Sequence, residues 1–179
     1  NLANYVLDGT NLATNEYRVI KGKVSACSFA SFAFDASLQE ECVILSHGYQ
    51  TVIASEEEIE NPLLLSETLK KYGVNIMFLT PSYVSNVLDV PEFIEALKKF
   101  QVLDMGAEAV PYELVERIRK LGINCLIDNG YGPTETTITS SMTFIKDKYV
   151  TIGTPVANTH YYILDKAGHV LPICAIGDL

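Results

Sequence analysis

Short apolar runs alternate with helix-patterned stretches along most of this 179-residue chain, and that alternation restricts its possible folds more than any other feature. Val24–Phe32 mixes small, serine and apolar residues and reads as a strand. Asp35–His47 turns helical: Ser37-Leu38-Gln39-Glu40 fits a capping box, and Gly48 stands where a left-handed C-terminal cap belongs. Tyr49–Ala54 is strand-like, and the acidic run Glu56–Glu60 reads as a solvated loop. Pro62 opens a helix that reaches about Tyr72 and stops at Gly73, because a first turn tolerates the N–H that proline lacks. Val74–Thr80 is apolar in the manner of strands buried on both faces of a parallel sheet. Pro81–Asp89 and Pro91–Lys99 are short helices opened by proline, and Gln101–Met105 is a strand. Pro111–Leu121 is a helix with Leu114, Val115, Ile118 and Leu121 on one stripe, and Asn124–Asp128 is another strand. Units repeated this way build a parallel sheet with helices on both faces, so the expected class is α/β.

After about Lys148 the pattern changes. Tyr161–Leu164 and Val170–Leu171 flank Asp165-Lys166-Ala167-Gly168, a hairpin signal. The expected organisation is therefore an α/β subdomain over 1–148 and the beginning of a β-rich region over 149–179. The sequence opens without a methionine on what reads as a helix tail and closes on Gly177-Asp178-Leu179 just after a loop. A piece of a longer polypeptide is the expectation.

Formal net charge is −9, which argues against nucleic acid as a partner and against docking on anionic membranes, since both need a basic face. No stretch approaches the roughly 18 apolar residues of a membrane span, and the first residues carry no leader signature. Cys27, Cys42, Cys125 and Cys174 are widely and irregularly spaced, with no C-x-x-C pair. Reduced, mostly buried thiols of a cytoplasmic protein are expected from that spacing.

In α/β sheets ligands bind beyond the carboxyl ends of the strands, so the loops there carry most weight. Three stand out: Phe34-Asp35-Ala36-Ser37, Gly106-Ala107-Glu108, and Asp128-Asn129-Gly130-Tyr131-Gly132-Pro133-Thr134-Glu135-Thr136-Thr137. Gly130-x-Gly132 is not a dinucleotide fingerprint, because Glu135 stands where the third glycine belongs. The segment offers a tight loop, an aromatic face at Tyr131, a hydroxyl at Thr134 and a carboxylate at Glu135. That set suits a nucleotide: the ring stacks, the hydroxyl bonds a phosphate oxygen, and the carboxylate holds Mg²⁺ shared with phosphates.

With these segments in view, the sequence resembles the adenylation domains of nonribosomal peptide synthetases, among the adenylate-forming ligases. The resemblance rests on Phe34-Asp35-Ala36-Ser37 (F-D-x-S), Asn129-Gly130-Tyr131-Gly132-Pro133-Thr134-Glu135 (N-x-Y-G-P-T-E), Ile152-Gly153-Thr154-Pro155 (I-G-x-P) and the closing Gly177-Asp178-Leu179, in the family's order. It implies a flavodoxin-like subdomain followed by a β-rich one. It also implies that Asp35 pairs with the α-ammonium of an amino-acid substrate, that Tyr131 stacks on adenine, and that Asn129 and the Gly130 carbonyl meet its amino group. By the same resemblance Thr134 contacts the α-phosphate, Glu135 holds Mg²⁺, and Gly106-Ala107-Glu108 passes beside the adenine. The side-chain pocket is expected from Ala36, Gln39, Phe78, Leu103, Met105, Gly130, Ile138 and Thr139. A small or medium apolar amino acid is expected there, with Gln39 leaving a polar one open.

The implied reaction is attack of the carboxylate on the α-phosphorus of ATP, giving an aminoacyl-adenylate and pyrophosphate, with transfer to a phosphopantetheine thiol on a peptidyl carrier domain. The family's phosphate loop, hinge and small C-terminal domain have no counterpart in this sequence, so the isolated chain is expected to be inactive without the rest of the adenylation domain. Two other readings stay in view: a ligase for fatty or aryl acids, against which Asp35 speaks, and a non-catalytic binding module, against which Tyr131, Thr134 and Glu135 together speak. Ser37, His47 and Asp35 supply the residue types of a hydrolase triad, but the sequence has no G-x-S-x-G elbow.

Overall fold

In a computed structural model, which describes residues 2–7 and 19–179, five strands run parallel: β1 (Ser25–Ser28), β2 (Gln50–Ile53), β3 (Ile76–Leu79), β4 (Val102–Gly106) and β5 (Leu126–Tyr131). Their order is β2-β1-β3-β4-β5, and β6 (Ser141–Phe144) and β7 (Thr154–Pro155) continue the same sheet antiparallel. The chain leaves β1 in one direction to reach β2 and returns on the other side for β3, which places the topological switch between β1 and β3. The expected α/β class and parallel sheet are what the chain forms.

Helices cover both faces. They are α1 (Leu2–Leu7), α2 (residues 36–46), α3 (Glu56–Glu60), α4 (Pro62–Tyr72), α5 (Pro81–Val87), α6 (Pro91–Leu97) and α7 (Tyr112–Lys120). Side chains alternate along each strand. Met77, Leu79, Leu103, Met105 and Ile127 therefore pack with Leu65 and Leu69 of α4, Val84 of α5, Phe93 and Leu97 of α6 and Ile118 of α7. On the opposite face Ala26, Ile76 and Val102 pack with Tyr5 and Val6 of α1 and Val43 and Ile44 of α2. Gly48 and Gly73 adopt the left-handed conformation at φ +71° and +62°, as their places after helices required.

Local departures from the sequence reading have local causes. β1 ends at Ser28 because Glu40 Oε2 accepts the N–H groups of Phe29 and Ala30, both at 2.8 Å, and turns the chain away from the sheet. That use of Glu40 also removes the capping box expected with Ser37, whose hydroxyl donates instead to the Phe34 carbonyl at 2.8 Å. Residues Gln39–Val43 form a π-helical turn within α2, and Thr51 Oγ1 donates to the Glu40 carbonyl at 3.2 Å. The acidic run Glu56–Glu60 is a helix and not a loop. Ser55 and Glu58 form its capping box, with the Ser55 side chain accepting from Glu58 N–H and the Glu58 carboxylate accepting from Ser55 N–H. β5 runs on to Tyr131, so Asn129 and Gly130 belong to the strand. The expected hairpin around Asp165–Gly168 is reduced to single bridges from Leu164 to Val170 and to Asp178, while Asp165 Oδ1 accepts the N–H groups of Ala167 and His169. Of the cysteines, Cys27 is buried, Cys42 and Cys125 are half-buried, and Cys174 is exposed.

Candidate functional site

Three of the segments singled out by sequence meet at the carboxyl edge of the sheet. Asp35, at the start of α2, reaches across 103 residues of sequence: its Oδ2 accepts the Ile138 N–H at 3.1 Å. Thr137 and Ile138 both hold positive φ, 72° and 65°, a conformation costing roughly 1–2 kcal/mol per non-glycine residue. The carboxylate thus anchors a strained stretch. Between Tyr131 and Ile138 the chain makes one 3₁₀ turn, Thr134–Thr136, which leaves Thr134 and Glu135 exposed. Gly132 is required for the return: a Cβ there would lie 2.4 Å from the Ile138 carbonyl oxygen. Beside it Ser140 N–H donates to the Tyr131 carbonyl at 2.9 Å.

Two clefts flank this turn. The first, about 540 Å³, is lined by Ala107, Glu108, Asn129, Gly130, Tyr131 and Pro133, with Val150–Ile152 opposite. Tyr131 is 41% exposed here. Asn129 donates its amide N–H to the Thr151 carbonyl at 2.8 Å, which fixes the side chain on this wall. The loop after β4 turns at Ala107 (φ 64°) and is pinned to the start of α5, where Glu108 Oε2 accepts Ser82 N–H at 3.1 Å and Ser82 Oγ–H at 2.5 Å. Gly106 must lack a side chain, since a Cβ would meet the Gly130 carbonyl oxygen at 2.8 Å and the Phe78 ring at 3.0 Å. The second cleft, about 470 Å³, is lined by Glu135, Thr136, Thr137, Thr139, Tyr5 and His160. Tyr131 and Glu135 therefore sit on opposite sides of the turn.

The residues expected to form a side-chain pocket divide between the two faces of the sheet. Gln39, Phe78, Gly130 and Thr139 come together, and Ile138 is buried in the core on that same side. Ala36 stands half-buried at the start of α2 beside Asp35. Leu103 and Met105 do not join them. Both are fully buried in the core under α4 to α7, on the face opposite Phe78. The side chain of β4 that faces the cluster is Asp104, between them. It pairs in register with Phe78 and Asp128, its Oδ2 accepts from Gln39 Nε2 at 2.7 Å, and its Oδ1 lies 3.5 Å from where a Gly130 Cβ would stand. Both ends of the Gln39 amide are engaged, because Tyr5 O–H donates to its Oε1 at 3.0 Å. In sequence Asp104 shows only as an acid within an otherwise apolar strand, which does not say which face of the sheet it takes. Burial pushes its carboxyl up to about 6, and does the same to Glu40 and Asp128, each to about 7.

Comparison with known proteins places the chain in a family. The family model described as AMP-binding enzyme matches residues 1–179. The chain belongs to the AMP-binding enzyme family. Among its curated relatives, the dimodular nonribosomal peptide synthase of Bacillus subtilis (strain 168) is 36% identical over 151 residues, 82% of this chain and 6% of that protein. Tyrocidine synthase 3 of Brevibacillus parabrevis is 30% identical over 166 residues, 92% of this chain and 2% of that protein. The chain thus spans only a small part of the relatives it matches. Among solved structures, holo-PA1221, an NRPS protein containing adenylation and PCP domains, superposes with TM-score 0.75 at 22% identity over 84% of this chain and 26% of its own. The N-terminal subdomain of Klebsiella oxytoca NpsA, in complex with 3-hydroxyanthranilyl-AMSN, gives TM-score 0.72 at 20% identity over 86% and 38%. Both share the fold of this chain, and the resemblance to nonribosomal peptide synthetase adenylation domains holds.

Proposed function

We propose that this chain is the amino-acid- and nucleotide-facing part of an adenylation domain that converts an α-amino acid and ATP into an aminoacyl-adenylate and pyrophosphate. The observation that supports it best is the bond from Asp35 to Ile138 N–H, which joins the two ordered motifs into one site. With one carboxylate oxygen on that amide, the other would take the substrate's α-ammonium, and a desolvated cation needs such a partner. A fatty or aryl acid would leave the charge unanswered.

The 540 Å³ cleft fits the nucleotide. The Tyr131 ring would stack on adenine, and Asn129 Oδ1 and the Gly130 carbonyl would meet its exocyclic amine. Thr134, on the turn, would bond the α-phosphate, which orients phosphorus toward the carboxylate of the amino acid whose α-ammonium Asp35 would hold. Among the described residues no three His, Cys, Asp or Glu side chains converge. Mg²⁺ is usually held by one or two carboxylates together with phosphates and water, and Glu135 is the side chain that would hold it. When bound, the ion neutralises charge on the phosphate oxygens. Acyl transfer to a phosphopantetheine thiol on a peptidyl carrier domain completes the reading, with the remainder of the adenylation domain as the other partner.

The expectation of a small or medium apolar substrate side chain drew on a mostly apolar lining and on the bulk of Phe78 and Met105. Phe78 stays on the pocket side, while Met105, like Leu103, faces the helical core and lends it no support. The test is amino-acid-dependent ATP–pyrophosphate exchange by the full-length protein carrying these residues, across a panel of amino and non-amino acids. Exchange with particular amino acids, reduced at least about 100-fold by Asp35→Ala, is expected from loss of a buried charge partner. Exchange only with non-amino acids, indifferent to Asp35, would overturn the reading.

A further inference from the structure

Three buried carboxyl groups on or beside the pocket side of the sheet, Glu40, Asp104 and Asp128, each leave one oxygen without a hydrogen-bond partner among the described residues, and the first two share a void. Glu40 and Asp104 are 3% and 2% exposed, yet Glu40 Oε1 and Asp104 Oδ1 meet no hydrogen-bond donor among the described residues. Buried carboxylate oxygens in this position are costly unless something answers them. Both side chains line one small void of about 10 Å³ at the β1/β3 switch, together with Gln39, Cys27 and Phe78. Such a void has room for a single group the size of a water molecule. No lysine or arginine ion-pairs with either carboxyl among the described residues.

Asp104, which lines this void, also borders the amino-acid side. Gly130 carries no side chain, which leaves Asp104 Oδ1 3.5 Å and Thr139 Oγ1 3.6 Å from its missing Cβ. Thr139 follows directly on Ile138, whose N–H is bonded to Asp35. A substrate with its α-ammonium at Asp35 would thus direct its side chain past Thr139 and Gly130 toward Asp104.

We propose that Asp104, with Glu40 behind it, is a specificity-determining pair for an α-amino acid whose side chain ends in an ammonium group. This rests on the adenylation reading above. An ammonium supplies donors to both orphan oxygens, and a void of this size favours it over the larger planar guanidinium. The unusual ease with which both buried carboxyls hold a proton fits a site awaiting a cation.

The experiment compares lysine and ornithine with norleucine, methionine and arginine in ATP–pyrophosphate exchange and in equilibrium binding by titration calorimetry, using the full-length protein. A charge-assisted contact of this kind predicts that lysine or ornithine exceeds norleucine at least about tenfold in kcat/KM. Asp104→Asn should remove that preference, chiefly through KM. Preference for norleucine or methionine in the unsubstituted protein overturns the proposal without any variant, and leaves the adenylation reading standing. Preference for arginine overturns the ammonium assignment. Exchange with no amino acid overturns both readings together.

Discussion

A methyl group on Gly132 would stand 2.4 Å from the Ile138 carbonyl oxygen, 2.7 Å from Thr139 Cα and 2.8 Å from the Ser140 nitrogen, all backbone atoms that cannot step aside cheaply. Gly132→Ala should therefore destabilise by about 1–3 kcal/mol, as overpacking does, and separate Tyr131 from Ile138. Gly48 differs: no atom lies within 4 Å of its missing Cβ, but φ is +71°. Gly48→Ala should cost about 1 kcal/mol from backbone strain alone and leave the site intact. Urea denaturation of both variants, with nucleotide binding as a second readout, separates the two causes. Equal loss of binding would contradict this account. Asp35, Tyr131 and the Gly132 turn were legible in sequence because motif order put them together. Asp104 was not, because a short strand buried on both faces has no hydrophobic phase to say which side chain faces the ligand.

Elements were legible where a single residue enforces a boundary. Proline at the starts of α4, α5 and α6 and left-handed glycine after α2 and α4 set their ends. They were misread where one sequence pattern admits two structures. The S-x-x-E pattern at Ser37 and Glu40 looks like a capping box, but Glu40 is drawn off to the amides of Phe29 and Ala30. A real box lies at Ser55 and Glu58, in front of a run whose charge suggested a loop. In that helix the three acids of the first turn face the helix's positive end, which favours them. Ser55→Ala should lower stability by about 1 kcal/mol, the usual cost of a lost N-cap, measurable as a shift in the urea midpoint at constant slope. No change would mean that α3 is held by the contact of its Ile59 with the core and not by its cap.

At the scale of the whole molecule, a chain of net charge −9 buries three carboxyl groups on or beside one face of its sheet. Burial raises Glu40 and Asp128 to about 7 and Asp104 to about 6, above unfolded values of about 4. The folded state then binds more protons than the unfolded one between those limits. Stability from these groups is full below about pH 4 and is lost as pH rises through 6 and 7. The unfolding free energy should fall from pH 5 to pH 8, by roughly 1–3 kcal/mol for each carboxyl. Repulsion among surface charges acts in the same direction, but salt screens it, whereas buried groups respond far less. Thermal unfolding at low and high salt distinguishes the two, and Asp104→Asn tests one carboxyl directly. Asparagine keeps an oxygen for Gln39 and never ionises, so the variant should match the unsubstituted protein near pH 5 and exceed it at pH 8. A pH slope abolished by salt and unchanged in Asp104→Asn would place the effect on the surface and leave the buried carboxyls neutral in the fold's stability.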